Sequence, residues 1–265
     1  MRKLQLLLAA AIASALTALA AVAAIADAQP TVVPKNTEPP AVVGTVMDGE
    51  LVAASDGQWS GSDPMTFTYQ WQVCDGAGAN CAAINGATWK VYRVVTADVG
   101  KRLRVEVTAK NTSGSKAVDA DPTGPVVHPV GAMRLADGRY SIPASSVKQP
   151  DRLVLSGVEF IPSLLRSRQV FTGRFRVTDT RGYVVRDAII LVTGVPLGWI
   201  YAPQEIRTNV DGLATIQLQP TTRLRLVPGG SMVMFIRARK DGDALLSGVS
   251  TRRLVRVRTT RPSFG

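Results

Sequence analysis

The segment Thr66-Phe67-Thr68-Tyr69-Gln70-Trp71-Gln72-Val73 decides the fold class, because every second residue in it is large and apolar. A period of two is typical of a β-strand that buries one face. The segment Leu103-Arg104-Val105-Glu106-Val107-Thr108-Ala109-Lys110 repeats this pattern, with charged residues on its outer side. No comparable stretch keeps a helical period of 3.6. The sequence therefore predicts an all-β protein whose first core contains Tyr69, Trp71, Val105 and Val107.

The amino-terminal segment is typical of an export signal. Arg2 and Lys3 precede an uncharged apolar run over residues 6–25, and Ala26-Asp27-Ala28 fits a cleavage site before Gln29. We expect residues 1–28 to form a signal helix that is removed, which would leave no membrane span. The alternative is a retained anchor, but the run is dominated by alanine, which is less apolar than the leucine and isoleucine usual in permanent spans. The predicted location is secreted or associated with the cell envelope.

The chain has two cysteines, Cys74 and Cys81, separated by a glycine-rich hexapeptide. In an exported chain the oxidising compartment favours a local disulfide across this turn. A metal site would need more ligands than the neighbourhood offers.

Several residues of the first domain resemble the immunoglobulin-like repeat domains of secreted and surface proteins from high-GC actinobacteria. The resemblance is carried by the pattern Tyr69-x-Trp71-x-x-Cys74, Cys81-x-x-Ile84-x-Gly86-Ala87-Thr88, Tyr92, Asp98-Val99-Gly100 and the strand that starts at Leu103. It implies a β-sandwich that serves as a spacer or adhesion module, in which the tryptophan is a core residue and the two cysteines form a local bridge. It implies no particular ligand.

The second half of the chain shows the same strand signals. The segment 169–177 alternates, Asp179-Thr180-Arg181-Gly182 predicts a turn, and the apolar run 184–195 predicts the next strand. Further strands are predicted after the turn at Asp211-Gly212, with Ala214, Ile216 and Leu218 facing inward, and over 232–238 and 254–258. The turn glycines and core aliphatics of 177–188 and 208–214 resemble bacterial immunoglobulin-like domains of the invasin kind and related prealbumin-like modules.

Charge divides the chain at the proline-rich stretch between Asp121 and Gly131. Residues 29–130 hold 8 Lys+Arg against 10 Asp+Glu, a net charge of −2, whereas residues 131–265 hold 21 against 9, a net charge of +12. The predicted organisation is a signal peptide (1–28), an immunoglobulin-like β-sandwich with a local disulfide (29–124), a linker (125–131), a basic immunoglobulin-like β-sandwich (132–260) and a tail (261–265).

Residues suited to catalysis are sparse. The single histidine, His128, lies between two prolines in the predicted linker, and a flexible linker holds a general base poorly. Carboxylate pairs for glycosidic chemistry remain formally available, but Asp137, Asp211 and Asp241 each precede a glycine, which turn formation alone would select.

Two acidic pairs, 119–121 and 241–243, offer fewer oxygens than the six to eight that calcium requires. The sequence therefore predicts no catalytic residues, no metal and no cofactor.

Pairs of arginines spaced by two are the unusual feature of the second domain, because such a pair points to one face of its strand. If the strands share one sheet, the pairs form a basic stripe that suits anionic polymers such as teichoic acid, acidic capsule or released DNA. The alternative is that exposed strands carry charge for solubility, since no aromatic platform interleaves the arginines. The candidate residues are Arg174, Arg176, Arg237, Arg239, Arg256 and Arg258.

These observations predict a non-enzymatic binding or adhesion-type protein of the cell envelope, with an unknown ligand and an anionic polymer or another envelope protein as its candidate partner. Two other functions stay open at this point. One is a structural spacer or subunit of an envelope assembly, and the other is a polysaccharide-active enzyme or its accessory domain.

Overall fold

A computed structural model describes residues 31–243 and 248–261. The predicted signal segment and the tail beyond Arg261 lie outside the described residues. The described part is all-β, with two single-turn 3₁₀ segments, Thr96–Asp98 and Ala144–Ser146, as its helical elements. No helix within it has the length and apolarity to cross a membrane.

The first sandwich packs a three-stranded sheet, β2-β3-β7, against a four-stranded sheet, β6-β5-β8-β9, and β1 pairs with β4 in a separate ribbon. Every strand pairing in it is antiparallel. Its strands are β1 (Lys35–Glu38), β2 (Ala41–Val43), β3 (Leu51–Ser55), β4 (Gln58–Ser60), β5 (Thr66–Cys74), β6 (Ala82–Ala83), β7 (Val91–Arg93), β8 (Arg102–Asn111) and β9 (Gly114–Asp119).

The core of the first sandwich is centred on Trp71, which is fully buried. Its ring stacks on Tyr92 at a centroid distance of 5.5 Å. Val105 and Val107 on β8 are also fully buried, whereas Tyr69 is only partly buried and donates its hydroxyl proton to Asp56 at 2.7 Å. The period-two alternation of β8 thus produces its inner face.

Cys74 and Cys81 form a disulfide with their Cα atoms 3.9 Å apart. The loop between them is closed by Asp75, whose carboxylate accepts hydrogen bonds from the backbone of Ala77 and Ala79 and from the Asn80 side chain. A loop this short stabilises the fold by roughly 2–3 kcal/mol in the chain-entropy treatment.

The second sandwich packs the sheet β10-β11-β15-β14-β12, in which β18 also pairs with β14, against the sheet β13-β20-β19-β16-β17. Two pairings, β11 with β15 and β13 with β20, are parallel. The strands are β10 (Met133–Arg134), β11 (Tyr140–Pro143), β12 (Leu153–Ile161), β13 (Leu164–Leu165), β14 (Phe171–Asp179), β15 (Val184–Arg186), β16 (Ile189–Val195), β17 (Ile206–Arg207), β18 (Leu213–Leu218), β19 (Gly230–Arg239) and β20 (Thr251–Thr259).

The apolar run 184–195 does not form the single strand that the sequence predicts. It divides into β15 and β16, which belong to opposite sheets. The chain changes sheet at Asp187, whose φ of 62° lies in the left-handed region that aspartate tolerates better than most residues. The run 184–195 is apolar throughout because β15 and β16 pack into the same core from opposite sides.

The two sandwiches meet through an ionic cluster around Arg181, whose side chain is 9% exposed. Its guanidinium lies 2.8 Å from Asp179 and 3.3 Å from Asp151, and it donates to the backbone oxygen of Asp48 in the first sandwich at 3.0 Å. Arg93 of the first sandwich reaches Asp151 at 2.6 Å. Opposite charges from both sandwiches therefore fix their contact.

The segment 125–131 is packed against both sandwiches, so the expectation of a flexible linker is wrong at His128. The His128 ring lies 3.7 Å from the Tyr140 ring, centroid to centroid, and Nδ1 lies 2.7 Å from the Tyr183 hydroxyl. Val126 is buried in the core of the first sandwich. Flanking prolines therefore restrict this segment rather than loosen it.

The packing of His128 predicts a pH dependence of stability. Burial lowers the pKa of His128 below its usual range, partly opposed by the charge of Asp48. Because the folded pKa lies below the unfolded value, the folded chain loses stability as the pH falls through about 6.5. Thermal melts at pH 7.5 and 5.0 measure this loss. It should be larger than in the His128→Gln variant, which cannot titrate, and equal losses would contradict the prediction.

Candidate anion-binding face

The six candidate arginines do not form one stripe. Arg174 and Arg176 lie on β14, whereas the other four lie on β19 and β20 of the opposite sheet. Alternation along a strand fixes the face of a side chain but carries no information about the sheet that the strand joins. The predicted basic stripe required the arginine pairs to share one sheet. This requirement is met by Arg237, Arg239, Arg256 and Arg258.

The register of β19 and β20 places these four side chains on one outer surface. Arg256 is opposite Val233, Arg258 is opposite Ser231, and Arg237 is opposite Arg252. Directly opposed residues of an antiparallel pair point to the same face. We call the outer surface of β19 and β20 the arginine face; the sequence reasoning missed Arg252, although the period-two run Arg252, Leu254, Arg256, Arg258 could have revealed it.

The arginines of this face differ in what holds them. Arg239 pairs with Glu205 at 2.6 Å, and Arg237 is buried. Arg256 and Arg258 are exposed, and within residues 31–243 and 248–261 neither forms an ion pair. Two guanidinium groups at one end of the face are thus available to an external anion.

Arg256 and Arg258 line an open groove of about 590 Å³ beside the turn at Gly229 and Gly230. The hydroxyl of Thr259, also in the lining, is buried and has no hydrogen-bond partner among the described residues. A side chain at Gly230 would place its Cβ 2.6 Å from that hydroxyl, so the close approach of Thr259 requires glycine at this position. Thr259 points to the inner face of β20, whereas the guanidinium groups of Arg256 and Arg258 lie on the outer face and suit phosphate, sulfate or carboxylate oxygens.

One aromatic ring, that of Phe235, lies among these arginines. Phe235 on β19 is opposite the exposed Leu254 on β20, between the Arg237–Arg252 and Val233–Arg256 pairs. Phe235 is only partly exposed. The face is therefore basic with an apolar centre.

Arg174 and Arg176 occupy a different environment. Arg174 is opposite Glu159 on β12 and lies 3.9 Å from its carboxylate. Arg176 is opposite Gly157 on β12 and Leu213 on β18. This pair carries the same charge as Arg256 and Arg258 but lies on the outer surface of the other sheet.

The aspartates that precede glycines lie in turns. Asp137 pairs with Arg139 at 2.6 Å, and that guanidinium holds the pKa of the Asp137 carboxyl below its usual range. Asp241 pairs with Arg207 at 2.7 Å, and Asp119 pairs with Arg104 at 3.1 Å. Among the described residues, no group of three or more His, Cys, Asp or Glu side chains could hold a metal ion.

No protein-family model matches the chain, and no curated protein matches it. Solved structures that are similar include the D00-D0 domain of intimin, at 10% identity and a TM-score of 0.28, covering 81% of this chain and 98% of that one. A three-immunoglobulin-domain segment of titin shares 12% identity at a TM-score of 0.25, covering 87% of this chain and 66% of that one. An endo-fucoidan hydrolase of glycoside hydrolase family 107 shares 13% identity at a TM-score of 0.28, covering 87% of this chain and 29% of that one.

At TM-scores this low, the similarities to these structures add no support for the fold beyond the strand pairings. The immunoglobulin-like architecture, two pairs of small and mostly antiparallel sheets packed face to face, follows from the strand pairings themselves.

Proposed function

We propose that the chain is an exported, non-enzymatic protein of the cell envelope that binds an anionic polymer through its arginine face. The observation that carries the proposal is the pair Arg256 and Arg258, exposed and without a carboxylate partner beside an open groove. This role would be consistent with two memberships. The first sandwich would belong to the actinobacterial repeat domains, and the second to the invasin-type modules.

Charge for solubility alone explains the arginine face less well. Some exposed arginines of the second sandwich are neutralised, such as Arg139 by Asp137 and Arg207 by Asp241, and others, such as Arg223, have no ion pair among the described residues but do not line this groove. Arg256 and Arg258 have no such partner, and they line an open groove in which an anion can contact both guanidinium groups.

The absence of catalysis is part of the proposal. His128 is packed between two tyrosine rings, and the turn aspartates Asp137 and Asp241 are each paired with an arginine. A general base or acid needs access to a substrate proton, and these groups are already engaged with their neighbours.

The polymer-binding test compares two double variants of equal charge. Residues 29–265 suffice, because both cores are built entirely from residues after position 40. The Arg256→Gln/Arg258→Gln variant should bind immobilised polyphosphate at least tenfold more weakly, since two charge-assisted contacts are lost. Its binding should also depend less on salt, with a log–log slope reduced by about two.

The matched control is Arg174→Gln/Arg176→Gln, for which we expect less than a twofold change in the same assay. Equal losses in both double variants would show generic basicity and would contradict the proposal. Poly-L-glutamate in place of polyphosphate distinguishes carboxylate from phosphate polymers.

The ionic cluster at Arg181 favours a second candidate function, a spacer that holds two modules at a fixed orientation in an envelope assembly. A spacer would fail to bind either polymer and would co-purify with an envelope protein.

A further inference from the structure

Three connections meet at the end of the second sandwich that faces away from the Arg181 cluster. They are residues 166–170, residues 196–204 of the connection 196–205, and residues 219–229, and we call this surface the distal pole. Glu205, which ends the second connection, is left out because it pairs with Arg239 at the end of β19. The cluster lies beside Asp179, the last residue of β14, whereas Phe171, the first residue of β14, pairs with Leu218 at the end of β18. The length of β14 therefore separates the distal pole from the first sandwich.

Hydrogen bonds tie the three connections into one surface. Arg168 donates from Nε to the Leu224 oxygen at 3.0 Å, and the Gln219 amide donates to the Arg168 oxygen at 3.1 Å. The backbone of Thr221 donates to Trp199 at 2.9 Å. The distal pole is thus a defined surface rather than a set of independent loops.

Large apolar side chains project from the distal pole into solvent. Leu197 is 75% exposed and Tyr201 is 64% exposed, and Val170 and Val227 are also exposed. These side chains lie on connections that hydrogen bonds join, and apolar residues grouped in this way mark an interaction site more often than ones scattered singly. The distal pole therefore has an exposed apolar component.

The ionisable side chains of the same connections, other than tyrosine, are all arginines: Arg166, Arg168, Arg223 and Arg225. All four are exposed, and none belongs to an ion pair among the described residues. The next carboxylate along the chain, Glu205, is engaged by Arg239. The distal pole is thus purely cationic and partly apolar.

We propose that the distal pole docks on the surface of an anionic lipid bilayer. A bilayer of this kind offers negative headgroups to the arginines and an apolar interior to Leu197, and tyrosine is favoured at the boundary between the two. A soluble polyanion would satisfy the arginines but would leave Leu197 in water. The proposal goes beyond polymer binding, because it uses different arginines and the apolar side chains Leu197 and Tyr201, although the distal pole adjoins the groove of Arg256 and Arg258 at Gly229.

The experiment measures co-sedimentation of residues 29–265 with vesicles of phosphatidylcholine and phosphatidylglycerol in a 3:1 ratio, and with vesicles of phosphatidylcholine alone. We expect the partition coefficient to be at least tenfold higher on the anionic vesicles. Leu197→Ser/Tyr201→Ser should lower it about tenfold, and Arg223→Gln/Arg225→Gln should lower it about fivefold for each charge removed.

Val43→Ser/Leu51→Ser is the control for the apolar substitutions, because both residues are exposed on the first sandwich, and it should change binding less than twofold. Each variant is compared with the parent chain by its melting temperature. Retention on polyphosphate should survive Leu197→Ser/Tyr201→Ser, which separates this proposal from the polymer proposal. Unchanged vesicle binding in that variant, equal binding to neutral vesicles, or loss of polymer retention together with vesicle binding would each overturn it.

Discussion

Replacing Trp71 by alanine should lower the free energy of unfolding by about 3–5 kcal/mol. The indole is fully buried, stacks on Tyr92 and donates from Nε1 to the backbone oxygen of Trp89 at 2.9 Å. Its removal opens a cavity in a core that seven strands of moderate length surround, and the first sandwich has few large side chains that could collapse into the space. Urea unfolding followed by circular dichroism measures the change.

Trp89→Ala is the matched control, because Trp89 is 80% exposed. The same substitution there keeps the backbone oxygen that Trp71 uses, and we expect a change within about 0.5 kcal/mol. A loss at Trp89 as large as the loss at Trp71 would show that the buried indole is not the centre of the core.

Replacing Arg181 by methionine should destabilise the contact between the sandwiches by about 3–5 kcal/mol. The substitution keeps an unbranched apolar stem but leaves Asp48, Asp151 and Asp179 close together and buried, with Arg93 as the remaining partner of Asp151. Breaking a buried ionic cluster from one side costs more than the cluster contributes, because uncompensated charge remains. We expect the parent chain to unfold in a single thermal transition and the Arg181→Met variant to unfold in two.

The control for Arg181 is Arg139→Met, which breaks the exposed pair with Asp137 and should cost less than about 1 kcal/mol. Adding Asp179→Asn to Arg181→Met removes one stranded charge and should recover part of the loss. A single transition at the parent temperature in Arg181→Met would contradict the proposed role of the cluster.

The faces of individual strands could be predicted from the sequence. The alternation over 103–110 marked Leu103, Val105, Val107 and Ala109 as inward, and all four are fully buried. Ala214, Ile216 and Leu218 likewise lie in the second core. These predictions succeed because the side-chain period of a strand is a local property that needs no knowledge of its partners.

The sequence did not reveal which sheet each strand joins. The uniform apolarity of 184–195 concealed the change of sheet at Asp187, and the equal spacing of the arginine pairs concealed that Arg174 and Arg256 lie on opposite outer surfaces. A strand shows the same alternation of apolar and polar residues whichever of the two sheets it belongs to. Only the pairing partners distinguish the two cases, and these are fixed by the fold as a whole.

The contact between the sandwiches was also beyond local inference. Arg181 and Asp48 are 133 residues apart, and the turn predicted at 179–182 carries no information about such a distant partner. The proline-flanked His128 suggested a free linker, whereas Tyr140 and Tyr183 hold its ring. Polar contacts between distant segments leave no periodic signal in a sequence.

The ionic character of this contact has a mechanical consequence. Carboxylates and guanidinium groups are well solvated once separated, so opening the contact exposes charged groups to water along with the rings of His128, Tyr140 and Tyr183. We expect a chain stretched between two attachment points to open at this contact before either hydrophobic core unfolds.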